Sequence, residues 1–227
     1  MSKLSIVIPV LDEGAGIAAA LDRLSDLRAL GTDVIVVDGG SRDATIQRAR
    51  PRADRVILAP RGRALQMNAG AEKASGGVLL FLHADTRLPA DADLVVLNGL
   101  ERSGRAWGRF DVKIEGRSTL LLVIAWLMNI RSRLTRIATG DQAIFVRRAA
   151  FQAAGGFPPI PLMEDIALCK RLKRVSRPLC LRERVTTSGR RWEKHGVLGT
   201  TVLMWRLRLA YFFGADPKKL AQRYGYE

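Results

Sequence analysis

Leu79-Leu80-Phe81-Leu82-His83-Ala84-Asp85-Thr86 is an apolar run of strand length that stops at a histidine and a carboxylate. In an open α/β sheet, ligands bind outside the carboxyl ends of the strands, so this is an active-site position. On an extended segment His83 and Asp85 point to the same side and can share one divalent ion, and Ala84 leaves room for a diphosphate. The alternative is that Asp85 caps a turn and His83 is a structural histidine.

Runs of strand length alternate with longer helical patterns on both sides of this stretch, which is typical of βαβ units and a mainly parallel sheet. The predicted strands cover residues 4–10, 34–37, 56–58, 78–82, 107–112, 143–146, 179–181 and 185–187. The predicted helices cover residues 17–30, a short segment after Asp43, 63–74, 91–102, 119–134 and a segment from Glu164. We therefore expect one α/β domain.

Composition and charge restrict the class of protein. With 227 residues, 48% hydrophobic and 26% charged, the chain is too apolar to be disordered. Thirty-seven Lys and Arg against 22 Asp and Glu give a net charge of +15, which favours a polyanionic partner: nucleic acid, phosphorylated substrate or an anionic membrane. The 6% aromatic content and the lack of a recognisable nucleic-acid module argue against nucleic acid.

The cysteines and the N-terminus indicate the compartment. Cys169 and Cys180 are too far apart for a Cys-x-x-Cys pair, and the N-terminus has no signal-peptide pattern. We expect a cytoplasmic protein.

Two apolar segments raise the question of membrane contact. The uncharged run 118–130 is shorter than the ~20 residues of a membrane span, and segment 197–213 is broken by Arg206 and Arg208. We expect segment 197–213 to bind the cytoplasmic face of an anionic membrane, with its arginines at the headgroups. The side chains predicted to enter the membrane are Trp205, Leu209, Phe212 and Phe213. The alternatives are internal packing and a dimer interface, which would make the protein a homo-oligomer.

Acidic residues also follow the first two predicted strands. Asp12 and Glu13 come after Ile8-Pro9-Val10-Leu11, where a carboxylate can accept hydrogen bonds from a base or ribose or can cap the next helix. Asp38 follows the second strand, and Gly39-Gly40 lets the backbone approach a ligand, whereas Asp43 is better explained as a helix cap.

A helix N-terminus with polar side chains follows. Arg63, Gln66 and Asn68 lie where helix N-termini and arginines favour phosphate, so they can hold a nucleotide sugar. The alternative is a solvated surface.

These motifs, taken in order and spacing, resemble the family 2 glycosyltransferases of GT-A fold, a Rossmann-like three-layer sandwich with a mainly parallel central sheet. The motifs that carry the resemblance are Pro9-Val10-Leu11-Asp12-Glu13, Asp38-Gly39-Gly40-Ser41-Arg42-Asp43-Ala44-Thr45, Arg63 with Asn68, His83-Ala84-Asp85 and Glu164-Asp165. It extends through Gly140-Asp141-Gln142 to Arg147-Arg148, Gly155-Gly156-Phe157 and Arg190-Arg191-Trp192, and so covers almost the whole chain.

The resemblance implies transfer of a sugar from a nucleotide-diphosphate donor with inversion at the anomeric carbon. It implies that the acids matching Asp12 and Asp38 hold the nucleoside and that the acid matching Asp165 is the catalytic base. The expected nucleotide-sugar-binding residues are Pro9, Asp12, Glu13, Asp38, Gly40, Arg63, Gln66, Asn68 and Ala84.

The family's Asp-x-Asp motif binds a divalent metal on the diphosphate, which implies Mg²⁺ or Mn²⁺ at Asp85 and His83. This chain has His83 where the first aspartate is usual, and imidazole suits Mn²⁺ better than Mg²⁺. Asp85 can also be the only direct protein ligand. His195 is a further candidate ligand, with a structural histidine as the alternative.

The expected acceptor-binding residues are Asp141, Glu164, Arg191 and Trp192. Arg190-Arg191-Trp192 is a reduced form of the Gln-x-x-Arg-Trp signature of processive synthases, which favours a single-addition enzyme over a polymerase; the alternative is surface arginines and a core tryptophan. Asp141 can contact the acceptor, compete for the role of base, or cap a turn.

We therefore expect a metal-assisted inverting glycosyltransferase acting on a small or lipid-linked acceptor. The single domain divides into a nucleotide-sugar half (1–86), an acceptor and catalytic half (87–195) and a C-terminal amphipathic helix and tail (196–227). One alternative is a nucleotidyltransferase, although segment 9–13 lacks the glycine-rich loop that such an enzyme needs. The other is a non-catalytic basic membrane-binding module, which the intact Asp38, Asp85 and Asp165 argue against.

Overall fold

A computed structural model describes residues 3–225, except for the side chains of Arg191 and His195. The strands are β1 (Leu4–Val10), β2 (Asp33–Asp38), β3 (Arg55–Leu58), β4 (Val78–Phe81), β5 (Thr86–Arg87), β6 (Trp107–Glu115), β7 (Phe145–Arg147) and β8 (Leu179–Ser188). The helices are α1 (Ile17–Asp22), α2 (Ser25–Ala29), α3 (Thr45–Ala49), α4 (Arg63–Lys73), α5 (Ala92–Ser103), α6 (Leu120–Thr135), α7 (Arg148–Ala153), α8 (Glu164–Leu172), α9 (Arg190–His195), α10 (Val197–Phe212) and α11 (Pro217–Tyr224). A short 3₁₀ turn covers Gly140–Gln142.

The strands form one sheet in the order β3-β2-β1-β4-β7-β6-β8-β5. Strands β3, β2, β1 and β4 are parallel neighbours, and β6 pairs in parallel with β8. Only β7 and β5 run antiparallel to their partners. The predicted mainly parallel α/β sheet is confirmed, and it brings the carboxyl ends of β1 and β4 side by side.

Helices cover both faces of the sheet because successive strand residues point to opposite sides. In β1, Ile6 and Ile8 pack in one apolar layer with Ile17 of α1, whereas Val7 packs in the opposite layer with Met67 of α4. Both faces are therefore buried, which explains why β1 and β4 read as continuous apolar runs.

Several predicted elements differ from those in the structure. The helix predicted over 17–30 is two helices, because the chain turns between Asp22 and Ser25. The two short strands predicted near residues 179 and 185 are one strand, β8, whose exposed residues 182–184 interrupt the apolar pattern without interrupting the pairing with β6. Sequence analysis missed β5, α7, α9 and α11, all of which are short.

The C-terminal helices pack at the start of α8. A third apolar cluster joins Leu162, Met163 and Ile166 to Leu207 of α10 and Leu220 of α11. Within residues 3–225, no helix combines the length and apolar character that crossing a membrane requires. Helix α10 is thus held against the segment that leads into α8.

Candidate active site

A cleft of about 370 Å³ lies beyond the carboxyl ends of β1 and β4. The predicted site residues that line it are Pro9, Glu13, Arg63, His83, Ala84, Asp85, Asp141, Glu164, Asp165 and Trp192. Two halves of the chain therefore meet at one cleft, because its lining includes Pro9 of β1 and the segment after β4 as well as residues of α8, α9 and α10.

A second cavity of about 470 Å³ lies next to the cleft, between the end of β1 and the start of α4. Pro9, Glu13, Arg63 and Glu164 line both spaces. The remaining lining residues of the second cavity are Val10, Leu11, Arg61, Gly62, Gln66 and Pro161. A ligand with one part in each space would pass over these four shared residues.

Asp12 joins the loops after β1 and β2. Its backbone takes a positive φ of 52°, its amide donates to the Ser41 hydroxyl at 2.9 Å, and its carboxylate accepts from the Arg42 amide at 2.8 Å. Asp12 does not cap α1, whose N-cap is Gly16, so that alternative is wrong. The exposed Asp12 lines neither cavity.

Asp38 is fully buried at the end of β2 and holds its own loop. One carboxylate oxygen accepts from the amides of Gly40 and Ser41, both at 2.8 Å, and the Ser41 hydroxyl donates to the other oxygen. Asp43 accepts from the Thr45 amide at the start of α3, in agreement with its predicted capping role. Neither Asp38 nor Gly40 lines the two cavities, so their predicted contact with the nucleoside stays a prediction.

Gln66 and Asn68 make structural contacts from α4. The Gln66 side-chain amide donates to the carbonyls of Val10 and Val37, both at 2.8 Å, and so joins the ends of β1 and β2. Asn68 bonds both ways with the backbone of Phe157, donating at 2.8 Å and accepting at 2.9 Å. The solvated-surface alternative is wrong for these two residues, and Asn68 lines neither cavity.

The segment after β4 is a turn rather than an extended strand, so the expectation that His83 and Asp85 point to the same side cannot rest on strand geometry, although both residues line the cleft. The Thr86 amide donates to the His83 carbonyl at 3.0 Å. The His83 ring instead lies with Nδ1 3.4 Å from Oδ1 of Asp141. Its Nε2 is buried and has no hydrogen-bond partner among the described residues. A Cβ on Gly140 would stand only 2.4 Å from that nitrogen, so Gly140 is needed for this close approach.

Asp85 lines the cleft close to Glu13. Burial, together with the charge of Asp85, raises the pKa of Glu13. Among the residues with described side chains, no group of three His, Cys, Asp or Glu is arranged to hold a metal ion. Mg²⁺-type sites commonly use one or two carboxylates together with substrate phosphates, so Asp85 on the cleft wall fits a metal that a phosphorylated ligand would share.

Asp141 faces the cleft from the turn that precedes β7, and its side chain is 41% exposed. Desolvation alone would raise its pKa. The hydrogen bond and charge of His83, with the charges of Arg63 and Arg208, outweigh desolvation and lower the pKa of Asp141. The ionised form of Asp141 is thus stabilised at the cleft.

Glu164 and Asp165 begin α8. Glu164 is 4% exposed and lies 3.7 Å from the Arg63 guanidinium. Burial and the adjacent Asp165 charge raise the pKa of Glu164 to about 7, against the opposing charge of Arg63. The Asp165 carboxylate accepts from the Gly140 amide at 3.0 Å and from the Ile166 amide at 2.7 Å, which fixes it at the cleft wall.

Two residues of the Arg190-Arg191-Trp192 motif, at the start of α9, line the cleft. Arg190 lines the cleft, and its guanidinium donates to the Ser188 hydroxyl at 3.2 Å. Trp192 lines the cleft and also packs against the apolar core. It thus lies both where an acceptor-binding residue was predicted and in the core position given as the alternative. The side chains of Arg191 and His195 lie outside the described part of the chain, and their predicted roles stay predictions.

A third cavity, about 290 Å³, lies between α6 and α10. Asp141, Trp192, Met204 and Arg208 line both this cavity and the cleft. Sequence analysis placed Arg208 at membrane headgroups, but the structure places it between these two spaces. It missed Arg131, which also lines the third cavity; the only signal was a single arginine after the uncharged run 118–130.

The side chains predicted to enter a membrane are exposed on or just after α10: Trp205 61%, Leu209 59%, Phe212 72% and Phe213 77%. The alternative of internal packing therefore holds for Leu207 of α10 but not for these four side chains.

Known proteins resemble this chain in sequence and in fold. The family model described as Glycosyl transferase family 2 matches residues 5–153, about two thirds of the chain. A PGL/p-HBAD biosynthesis glycosyltransferase of Mycobacterium bovis (strain BCG / Pasteur 1173P2) is 36% identical over 91 residues, which are 37% of this chain and 36% of that protein. The same values hold for a protein of that name from Mycobacterium tuberculosis (strain ATCC 25618 / H37Rv). The match therefore spans about a third of the length of these curated relatives.

Solved structures share the fold. Glucosyl-3-phosphoglycerate synthase from Mycobacterium tuberculosis, in complex with Mn²⁺, UDP and glucosyl-3-phosphoglycerate, aligns with a TM-score of 0.58 at 22% identity, over 82% of this chain and 71% of that one. S. aureus TarS 1-349 in complex with UDP aligns with a TM-score of 0.67 at 17% identity, over 82% of this chain and 60% of that one. The matched family model, and a fold shared with GT-A glycosyltransferases, show that this chain belongs to glycosyl transferase family 2.

Proposed function

We propose that this protein is a metal-assisted, inverting glycosyltransferase that moves a sugar from a nucleoside-diphosphate donor to the hydroxyl of a small or lipid-linked acceptor. The observation that carries the proposal is that Asp85 and Asp165, which belong to different halves of the chain, line one cleft. The family match favours this function over a nucleotidyltransferase and over a non-catalytic membrane module.

The cavity beside β1 is the proposed site for the nucleoside, and the cleft is the site for the diphosphate and sugar. Pro9, Glu13 and Arg63 line both spaces, as a ligand that passes from one to the other requires. Arg63 offers a guanidinium, which is suited to phosphate oxygens. UDP is present in the structures of both similar proteins described above, which makes UDP-sugars the first donors to test.

Asp165 is the proposed general base. Inverting transfer needs a carboxylate that removes the acceptor proton while the acceptor oxygen attacks the anomeric carbon from the side opposite the leaving group. The oxygen–carbon bond forms, the bond from carbon to the diphosphate oxygen breaks, and the nucleoside diphosphate leaves with its electron pair. The amides of Gly140 and Ile166 hold Asp165 in place for this step.

Asp85 is the proposed protein ligand of a divalent ion shared with the diphosphate. When bound, such an ion neutralises charge on the leaving group. His83 contributes in a different way, because its ring contacts Asp141 and orients that carboxylate at the cleft.

The test of the base is Asp165→Asn. Donor binding, measured as a rise in unfolding temperature with nucleotide-sugars and Mn²⁺ or Mg²⁺, should be retained, because Asp165 acts on the acceptor. The rate of donor hydrolysis, in which water takes the place of the acceptor, should fall by at least ~100-fold. Asp91→Asn is the matched control, since Asp91 is an exposed aspartate at the start of α5. Near-normal turnover of Asp165→Asn would refute the assignment and direct attention to Asp141.

The test of the metal ligand is Asp85→Asn. In the wild-type protein, chelation of divalent ions should remove most of the thermal shift that the donor produces. In Asp85→Asn the donor shift should be small with and without Mn²⁺, because the ion loses its protein ligand. Asp26→Asn, at an exposed position in α2, is the control. A variant whose donor binding still depends fully on Mn²⁺ would contradict the assignment.

A further inference from the structure

The third cavity, which lies between α6 and α10 and is called the α6–α10 groove below, connects the cleft with an apolar surface. Leu127 and Leu134 of α6 and Met204 and Trp205 of α10 are among its lining residues. Outside the groove the same helices expose Trp126 at 60% and Leu209 at 59%. A path with apolar walls therefore leads from the protein surface to the catalytic cleft.

Two arginines lie in this apolar path. Nε and Nη2 of Arg131 and Nε of Arg208 are buried and have no hydrogen-bond partner among the described residues. The remaining contact of Arg131 is a long one, from Nη1 to the carbonyl of Ile137 at 3.4 Å. Buried guanidinium nitrogens without acceptors are costly, and an anion between the two side chains would supply acceptors for them.

The electrostatics agree with an anion at this point. Burial and the nearby charge of Arg208 lower the pKa of Arg131 to about 10, against the opposing charge of Asp165. Arg131 is thus close enough to both Arg208 and Asp165 to interact with their charges. Arg208 and the proposed base Asp165 also line the same cleft, so a lipid whose negative group contacts the arginines could extend its hydroxyl towards that base.

We propose that the acceptor is an anionic lipid: its hydrocarbon chain lies in the α6–α10 groove, its phosphate contacts Arg131 and Arg208, and its accepting hydroxyl reaches Asp165. This inference rests on the proposed function and names the acceptor class. The groove supplies apolar contact for the chain, and the two arginines distinguish a phosphate from a neutral headgroup.

The experiment uses decyl phosphate as the probe and the full chain as the protein. Trp192 and Trp205 line the groove, so tryptophan emission reports on its occupation. Decyl phosphate should bind at least ~10-fold more tightly than decanol, because its phosphate accepts charge-assisted hydrogen bonds from the two guanidinium groups. Inorganic phosphate should compete only weakly, because it lacks the chain.

Arg131→Met combined with Arg208→Met should remove the preference for decyl phosphate over decanol and keep decanol binding. The exchange replaces buried charges by apolar groups of similar length, so the fold should persist. Arg174→Met, on an exposed arginine after α8, is the control and should keep the preference. Leu127→Glu, in the wall of the groove, should weaken the binding of both decyl phosphate and decanol.

The proposal is overturned if decanol binds as tightly as decyl phosphate, if the double variant keeps the preference, or if inorganic phosphate displaces decyl phosphate at equal concentration. The last result would indicate a site for free phosphate. Donor binding, followed by the thermal shift with UDP-sugars, separates this proposal from the proposed function. If decyl phosphate binds as described and no nucleotide-sugar does, the proposed function fails while the lipid site stands.

Discussion

Replacing Glu164 by glutamine tests the electrostatics of the cleft through the stability of the protein. Glu164 is 4% exposed beside Asp165, and its pKa is raised from 4.5 to about 7. At 1.36 kcal/mol for each pKa unit, ionising this buried carboxyl costs the folded state about 3 kcal/mol relative to the unfolded chain.

The sign of the pH dependence follows from proton binding. The folded protein holds the Glu164 proton more tightly than the unfolded chain does, so this group lowers stability as pH rises from 4.5 towards 7. Its full cost is present above pH 7, and below pH 4.5 the cost is absent. Glutamine cannot ionise and removes the cost.

The assay is unfolding of wild type and Glu164→Gln by urea or heat at about pH 5 and about pH 8. Between these conditions the stability of Glu164→Gln relative to wild type should rise by about 2–3 kcal/mol, or roughly 5–10 °C in Tm for a chain of this size. Glu72→Gln, on the exposed side of α4, controls for the amide substitution itself. An equal difference between Glu164→Gln and wild type at both pH values would refute the reasoning.

Two further predictions concern the buried Arg109–Asp111 ion pair and the close approach of Gly140 to His83. Asp111→Ala should lower the free energy of unfolding by about 3–5 kcal/mol, since it leaves the guanidinium of Arg109, 1% exposed, without its carboxylate partner; a loss below about 1 kcal/mol in urea unfolding would contradict this. Gly140→Ala places a Cβ 2.4 Å from Nε2 of His83 and should displace that ring from Asp141. The pKa of Asp141, followed by carboxyl NMR, should then rise, because His83 helps to lower it, and an unchanged titration would show that the ring had not moved.

The apolar runs predicted most of the parallel half of the sheet, because β1, β2 and β4 are buried on both faces and allow few polar residues. The same logic placed His83, Ala84 and Asp85 at a strand end, and all three line the cleft. Asp165 also lines the cleft, although it lies far away in sequence. Its place there could not be worked out from spacing and came from the family resemblance.

The errors share one physical cause, which is that side-chain contacts depend on neighbours that are distant in sequence. Gln66 and Asn68 carry amide groups that could bind a phosphate. In the structure the amide of Gln66 instead donates to carbonyls of β1 and β2, and the amide of Asn68 bonds to the backbone of Phe157. His83 contacts Asp141 only because β7 pairs with β4. The groove of Arg131 forms only when α6 meets α10, so no single segment encodes it.

The hydrogen bonds of Gln66 have a consequence for the cost of binding. One amide group holds the carbonyls of Val10 and Val37 at the same distance of 2.8 Å, so the ends of β1 and β2 cannot separate without moving α4. The wall of the cavity beside β1 is thus preorganised, and a ligand that binds there loses little affinity to ordering the protein. The opposite side of the cleft is built from α9, α10 and the loops around them, which have fewer ties to the sheet. We therefore expect any adjustment to different ligands on that side, because segments with few contacts to the rest of the fold open most readily.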